Sequence, residues 1–261
     1  MNKKIFIITG GSSGIGLSCI QKLSENKHNH VISFSRSKEK TKRAAKSIGN
    51  IPDNVEFYHG DVRNESDCET FAGYIGEKYG KIHGLVHAAA VLTKGGIEMI
   101  PYEAWKFNLD INLNGPYLLT QVLLPYLKAA QGASIVNISS IAAQRPGTSI
   151  AYSVSKAGLD MLTEFLAGDL APYQIRVNSV NPGLVTTNIH LDNKIVENQQ
   201  AYDEMVKKAA ARYPLNRAGK PEEIADMILY LLSEKSSWVT GSIFKMDGGA
   251  LIANDLIPDK Q

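Results

Sequence analysis

Short apolar runs alternate along the chain with longer stretches whose apolar positions recur three and four apart. The runs at 5–8, 31–34, 55–58, 85–89, 135–138, 177–180 and 243–246 are rich in β-branched residues and show no polar alternation. Strands buried on both faces of a parallel sheet have this pattern. The segments 14–23, 38–48, 65–79, 102–128, 152–170 and 221–232 carry the helical period. In the last of them Pro221, Glu222 and Glu223 make a good helix start. Proline is pre-set for the first turn, and the acids face the positive end of the dipole. Strand–helix alternation from end to end predicts an α/β fold with a doubly wound parallel sheet. No linker, repeat or low-complexity tract divides it, so a single domain is expected. Residues 187–214 break the rhythm, being polar and too long for an ordinary connection. They read either as a solvated pair of surface helices or as a lid over a substrate site.

Composition narrows the classes of function. The 261 residues are 44% hydrophobic and 21% charged, enough for a sizeable core and unlike a disordered chain. With 28 Lys and Arg against 26 Asp and Glu, the net charge of +2 points to neither nucleic acid nor an anionic membrane surface. Lys3 and Lys4 before the apolar run at 5–8 imitate a leader. The run falls short of the roughly 7–15 residues such a leader needs, and Gly10 and Gly11 follow closely. No stretch approaches the ~20 apolar residues of a membrane helix. Cys19 and Cys68 belong to no Cys-x-x-Cys pair or metal-like cluster. They read as thiols within helices, without a metal and in a reducing compartment. A cytoplasmic location is expected.

The first candidate chemistry follows the first strand. Thr9-Gly10-Gly11-Ser12-Ser13-Gly14-Ile15-Gly16 leads directly into a helix. Glycines let the backbone come close to a pyrophosphate, and the helix N-terminus offers that anion free N–H groups. Strand, glycine turn and helix in that order are the required context. The second strand ends in Phe34-Ser35-Arg36-Ser37-Lys38. A dinucleotide fold that selects NAD(H) places an acid there for the ribose. The acid is missing, whereas Ser35 and Arg36 offer a hydroxyl and a guanidinium, with Lys38 and Lys40 close by. This set suits a 2′-phosphate, so NADP(H) is favoured over NAD(H).

Tyr152 and Lys156 stand four apart on a helix, hence on one face. A phenol normally titrates near ~10. A nearby ammonium lowers that value and makes proton exchange with an alcohol feasible near neutrality. The preceding strand ends in Asn137-Ile138-Ser139-Ser140, at the sheet edge where open α/β folds bind ligands. A serine there can donate to a carbonyl oxygen that gains charge as hydride arrives.

These motifs together resemble the short-chain dehydrogenases/reductases, in their NADP-dependent, 3-oxoacyl-reductase-like form. Also matching are Asn112 in Asp110-Ile-Asn-Leu-Asn-Gly115, the stretch Asn181-Pro182-Gly183-x-Val185-x-Thr187, and the C-terminal stretch from Gly219 to Gly249. The resemblance spans nearly the whole chain and implies a Rossmann-type sheet and a carbonyl–alcohol oxidoreductase. It implies that Tyr152 is the general acid/base, and that Lys156 lowers the tyrosine pKa and holds the nicotinamide ribose. Ser140 would orient the substrate oxygen, and Asn112 would place a water in a proton relay. Asp61 and Val62 would meet the adenine. Ala88 and Ala89 would form part of the cofactor wall, with Pro182, Gly183, Val185 and Thr187 on the nicotinamide side. It also implies a homotetramer built on the apolar faces of 102–128 and 152–170.

The chain departs from the family twice. His87-Ala88-Ala89-Ala90 replaces the usual Asn-Asn-Ala-Gly, removing amides that tie adjacent strands. His87 reads as a substitute hydrogen-bonding group or as a plain core histidine. The gap from Ser140 to Tyr152 is one residue short, so Ser139 keeps the common spacing while Ser140 keeps the strand context. Ser140 is preferred. The partner expected is a small carbonyl or alcohol, with its specificity read by residues 91–101, 140–150 and 187–214. Two other readings share the motifs: a non-catalytic NADP-sensing protein, and an enoyl-type reductase, which usually spaces its tyrosine and lysine more widely.

Overall fold

A computed structural model describes residues 3–49, 51–147 and 149–253, so Met1 and Asn2 of the basic N-terminus and Thr148 of the 140–150 segment lie outside the described residues. The first half of the chain forms β1 (Lys4–Thr9), α1 (Gly14–Glu25), β2 (Asn29–Ser35), α2 (Lys38–Ile48), β3 (Val55–His59), α3 (Glu65–Lys78) and β4 (Gly84–His87). The second half forms α4 (Tyr102–Leu109), α5 (Gly115–Ala129), β5 (Ser134–Ile138), α6 (Ile150–Leu170), β6 (Arg176–Pro182), α7 (Ile189–Asp192), α8 (Gln199–Ala210), α9 (Pro221–Leu232) and β7 (Ile243–Met246). All strand pairs are parallel, in the order β3-β2-β1-β4-β5-β6-β7.

Alternation along each strand sorts its side chains onto two layers. Ile5 and Ile7 of β1 join Phe71, Ile75, Leu119, Leu123 and Leu170 from α3, α5 and α6. Phe6 and Ile8 join Ile20, Leu23, Ile224 and Ile228 from α1 and α9 on the other face. Both faces are therefore dry, which is why the strands read as unbroken apolar runs. Register brings Thr9 opposite His87, His87 opposite Asn137 and Asn137 opposite Ser179. The carboxyl ends of the four central strands thus share one edge. Strand order reverses between β1 and β4, and a ligand crevice forms at such a switch point.

The structure departs from the sequence reading at three places. β4 ends at His87 rather than at 89, because the N–H groups of Ala88 and Ala89 turn to the Thr9 hydroxyl at 3.0 and 3.1 Å. The expected helix over 102–128 is interrupted by a π-helical turn, Asp110–Asn114, in which the Gly115 N–H reaches back to the Asp110 carbonyl. Pro116 explains this. It has no N–H for the Asn112 carbonyl, and its ring crowds that group in a regular helix. Finally, α6 begins at Ile150, where the Ser149 hydroxyl accepts from the Tyr152 N–H at 3.1 Å and caps the helix. Residues 187–214 contain α7 and α8. Among the described residues, no helix is long and apolar enough to cross a membrane.

Candidate active site

A cleft of about 740 Å³ opens along the carboxyl edge. Most of the site residues expected from sequence line it, but Asn112 and Lys38 do not. Its floor is the turn between β1 and α1. Gly10 has φ +66°, and a Cβ there would lie 2.7 Å from the Ala89 nitrogen. A Cβ on Gly16 would lie 2.6 Å from the Gly10 carbonyl oxygen. Only glycine allows this close approach. Ser13, the N-cap of α1, makes no side-chain cap bond, so the first-turn N–H groups remain open to an anion. A cradle that a Cβ would fill, at the start of a 12-residue helix, fits the pyrophosphate of a dinucleotide. Among the described residues, no group of three or more metal-ligating side chains is assembled.

The strand tie expected to be lost at His87-Ala88-Ala89-Ala90 is supplied by Thr9. Its hydroxyl accepts from Ala88 and Ala89, and lies 3.5 Å from the Val86 carbonyl to which it donates. His87 is a core histidine that also hydrogen-bonds: it is buried, with Nε2 2.9 Å from the Thr120 hydroxyl. Burial, and secondarily the charge of Lys156, pushes its pKa down to about 3. An unfolded histidine titrates near ~6.5. Below that pH the unfolded chain takes up a proton that the folded chain refuses. Stability is therefore lost as pH falls from 6.5 towards 3, at up to about 1.4 kcal/mol per pH unit, and is unaffected above 6.5. His87→Asn should flatten this slope. Denaturant unfolding at pH 6.5, 5.5 and 4.5 measures it, and parallel curves for variant and wild type would refute the assignment.

At the end of the cleft where the adenosine is expected, Ser35 is buried with its hydroxyl 3.0 Å from that of Ser33. Arg36 is exposed, and its Nη1 lies 3.6 Å from Asp61 Oδ2. Asp61 is held more closely by Arg63, at 2.7 Å. Burial raises the Asp61 carboxyl pKa, but the hydrogen bonds and charge of Arg63 outweigh it and hold the pKa below the usual range. Lys40 crosses the cleft mouth to Asp192 of α7 at 2.6 Å. Thr187, at the start of the 187–214 segment, lies over Gly14.

At the other end Tyr152 and Lys156 point from one face of α6 under the ends of β5 and β6. Tyr152 is half-buried. Burial pushes its hydroxyl up, and a hydrogen bond with Ser140 pulls it down. Lys156 stands beside the ring. Its ammonium sits 5.6 Å from the Tyr152 ring centre and donates to the Ile138 carbonyl at 2.7 Å. Burial lowers Lys156 to about 8, with Asp160 acting in the opposite sense. Of the two serines, Ser140 faces Tyr152, whereas Ser139 turns away to donate to the Lys156 carbonyl at 3.0 Å. Asn112 stands behind the cleft. Its amide holds the Val91 N–H and carbonyl, each at 2.9 Å, and the Ser155 hydroxyl at 3.1 Å. It thereby fastens the π-helical turn to the start of α6.

Of the residues expected on the nicotinamide side, Pro182 ends β6 and Gly183, Val185 and Thr187 follow on the loop after it, where Val185 bridges to Gly219 and the Leu184 N–H donates to the Tyr213 hydroxyl at 2.8 Å. Sequence reading missed Tyr213 and Asp160. Tyr213 carried no motif. Asp160 carried a faint one, since it lies four positions beyond Lys156 on the same helical face.

Residues 10–250 match the family model described as Enoyl-(Acyl carrier protein) reductase. The 3-oxoacyl-(acyl-carrier-protein) reductase of Thermotoga maritima is 34% identical over 251 residues, 95% of this chain and 98% of that protein. An NADP-dependent (R)-specific alcohol dehydrogenase of Lentilactobacillus kefiri is 31% identical over 94% of this chain and 96% of its own length. The ligand-free structure of an aldohexose dehydrogenase from Thermoplasma acidophilum superposes with a TM-score of 0.87 at 28% identity, covering 100% of this chain and 98% of that one.

Proposed function

The chain belongs to the short-chain dehydrogenase/reductase family, and on that premise we propose that it interconverts a ketone or 3-oxoacyl-type carbonyl and a secondary alcohol with NADP(H). The observation that carries this reading is the convergence of Tyr152, Ser140 and Lys156 on the cleft that also holds the glycine turn. When bound, the nicotinamide supplies or accepts the hydride. Tyr152 gives its proton to the substrate oxygen, or takes it back in the reverse direction. Ser140 donates to the same oxygen and steadies the charge that develops there. Lys156 holds the nicotinamide ribose and, while it is an ammonium, favours the phenolate. Asn112 serves through the wall it fixes, with its side-chain amide engaged by Val91 and Ser155. Arg36 and Lys40 would hold the 2′-phosphate. Residues 187–214 act as the lid.

Oxidation of NADPH against a panel of ketones, 3-oxoacyl thioesters and 2-enoyl thioesters tests the reading. Carbonyl turnover supports it. Turnover of the enoyl thioester alone would make the chain an enoyl reductase, and tight NADPH binding without turnover would make it a sensor. The four-residue spacing of Tyr152 and Lys156 favours the carbonyl. Buried thiols at Cys19 and Cys68 suit a reducing cytoplasm.

The assembly we infer is a homotetramer. Tyr102, Tyr117, Val154, Met161 and Phe165 leave large apolar groups exposed on α4, α5 and α6, and in the family these elements meet a second copy. Light scattering should give a mass near four times the 28.5 kDa chain. A stable monomer at micromolar concentration would overturn the assembly. Phe165→Glu should lower the mass.

A further inference from the structure

Asp160 lies below the cleft, on the α6 face that packs on the sheet. Asn181 Nδ2 donates to its Oδ2 at 2.7 Å, and the Ser179 hydroxyl lies 3.1 Å from its Oδ1. The same Asn181 amide donates to the Ser140 carbonyl at 3.1 Å. One carboxylate therefore reaches β6 directly and the end of β5 through a single intermediary. Lys156, one turn earlier on α6, is 1% exposed. A buried ammonium without a counter-charge sheds its proton.

We propose that Asp160 is a positioning residue of this site: its carboxylate ties the ends of β5 and β6 to α6 and supplies the counter-charge that keeps Lys156 an ammonium. The inference rests on the roles given above to Tyr152 and Lys156. The other titratable groups facing Lys156 are Tyr152 on α6 and His87 on β4, and neither supplies a negative charge near neutrality. Tyr152 is held as the phenol by burial. His87 is neutral. Partial burial leaves Asp160's own carboxyl raised above the usual range, against the hydrogen bonds of Asn181 and Ser179 and the attraction of Lys156, which act to hold it ionised. The geometry thus sets a half-buried acid one helical turn from a buried base, across a hydrogen-bonded frame that touches Ser140 and the strand leading to Pro182.

The test compares wild type, Asp160→Asn and Asp160→Glu as full chains from pH 6 to pH 10. NADPH binding is read by fluorescence, and carbonyl turnover by NADPH absorbance. In Asp160→Asn the alkaline limb of both profiles should move down by about 1 pH unit or more, with activity retained at pH 6. Asp160→Glu, which keeps the charge, should restore the limb. A uniform loss at every pH, or an unmoved limb in the folded variant, would overturn the inference by leaving Asp160 a structural role only. If Asp160→Asn does not fold, labelled aspartate in the wild type gives the answer by ¹³C NMR, with the resonance assigned by its loss in Asp160→Glu. An Asp160 carboxyl still protonated at pH 7 would refute the proposal, and an ionised one supports it. A wild type that binds NADPH but reduces no carbonyl would sink the functional reading, while the binding profiles would still decide the role of Asp160.

Discussion

Tyr152→Phe is expected to abolish turnover while NADPH still binds. Phenylalanine keeps the half-buried ring on the wall of the cleft, so the cofactor wall is preserved. Only the hydroxyl goes, and with it the proton donor and the partner of Ser140. General acid–base catalysis by one side chain contributes typically ~10²–10⁴-fold, and kcat should fall by at least that much. The measurement is kcat for carbonyl reduction beside the fluorescence-derived Kd for NADPH. A variant with near-normal kcat would remove Tyr152 from the acid/base role. Weakened NADPH binding with unchanged kcat would recast it as a wall of the cofactor site.

The second large effect concerns cofactor choice. Arg36 is exposed at the adenosine end, with its guanidinium 3.6 Å from Asp61. Arg63 already occupies that carboxylate, so Arg36 is free to meet a phosphate. A charged hydrogen bond is worth roughly 1.5–3 kcal/mol, and each 1.4 kcal/mol is about tenfold in affinity. Arg36→Ala should weaken NADPH by roughly ten- to a hundredfold and leave NADH almost unchanged. Adding Ser35→Asp should turn the preference towards NADH, because a carboxylate accepts from ribose hydroxyls and repels a phosphate. Lys40, at the same end of the cleft, would shrink the first effect without changing its sign. The readout is kcat/KM for both cofactors at fixed ionic strength, since salt screens exposed charges. Equal losses with both cofactors would mean that Arg36 does not read the phosphate. A wild type preferring NADH would remove the NADP(H) assignment.

The sheet was legible because its signal is local. A strand dry on both faces must be a run of apolar residues, and Ile5 to Ile8 can hardly be anything else. The phosphate turn was legible for the same reason, since Gly10 and Gly16 answer a steric demand within a few residues of themselves. Contacts made across the fold were not. That the Thr9 hydroxyl replaces the missing amides depends on a partner 79 residues away. The π-helical turn follows from Pro116, a residue in plain view, but the helical period runs on through it and hides the break. Four residues on a helix guarantee a shared face but not where each side chain ends, and the bond of the Lys156 ammonium to the Ile138 carbonyl could not be read from the spacing.

The ties along the carboxyl edge carry a consequence for how such a chain changes over time. Thr9, Asn137, Ser139, Ser179 and Asn181 bond to one another, to nearby helix groups or to the backbone, and use no side chain from 91–101 or 187–214. Those two segments leave the sheet after β4 and β6, beyond the edge that holds the reacting groups. Mutations there, Thr187 and Tyr213 apart, can alter what enters the cleft without breaking these ties. Such a separation suits a scaffold whose relatives are named for substrates as unlike as an acyl thioester and an aldohexose. Exchange of residues 187–214 between such relatives accordingly leaves this frame whole so long as Thr187 over Gly14 and the Tyr213 hydroxyl at Leu184 are kept.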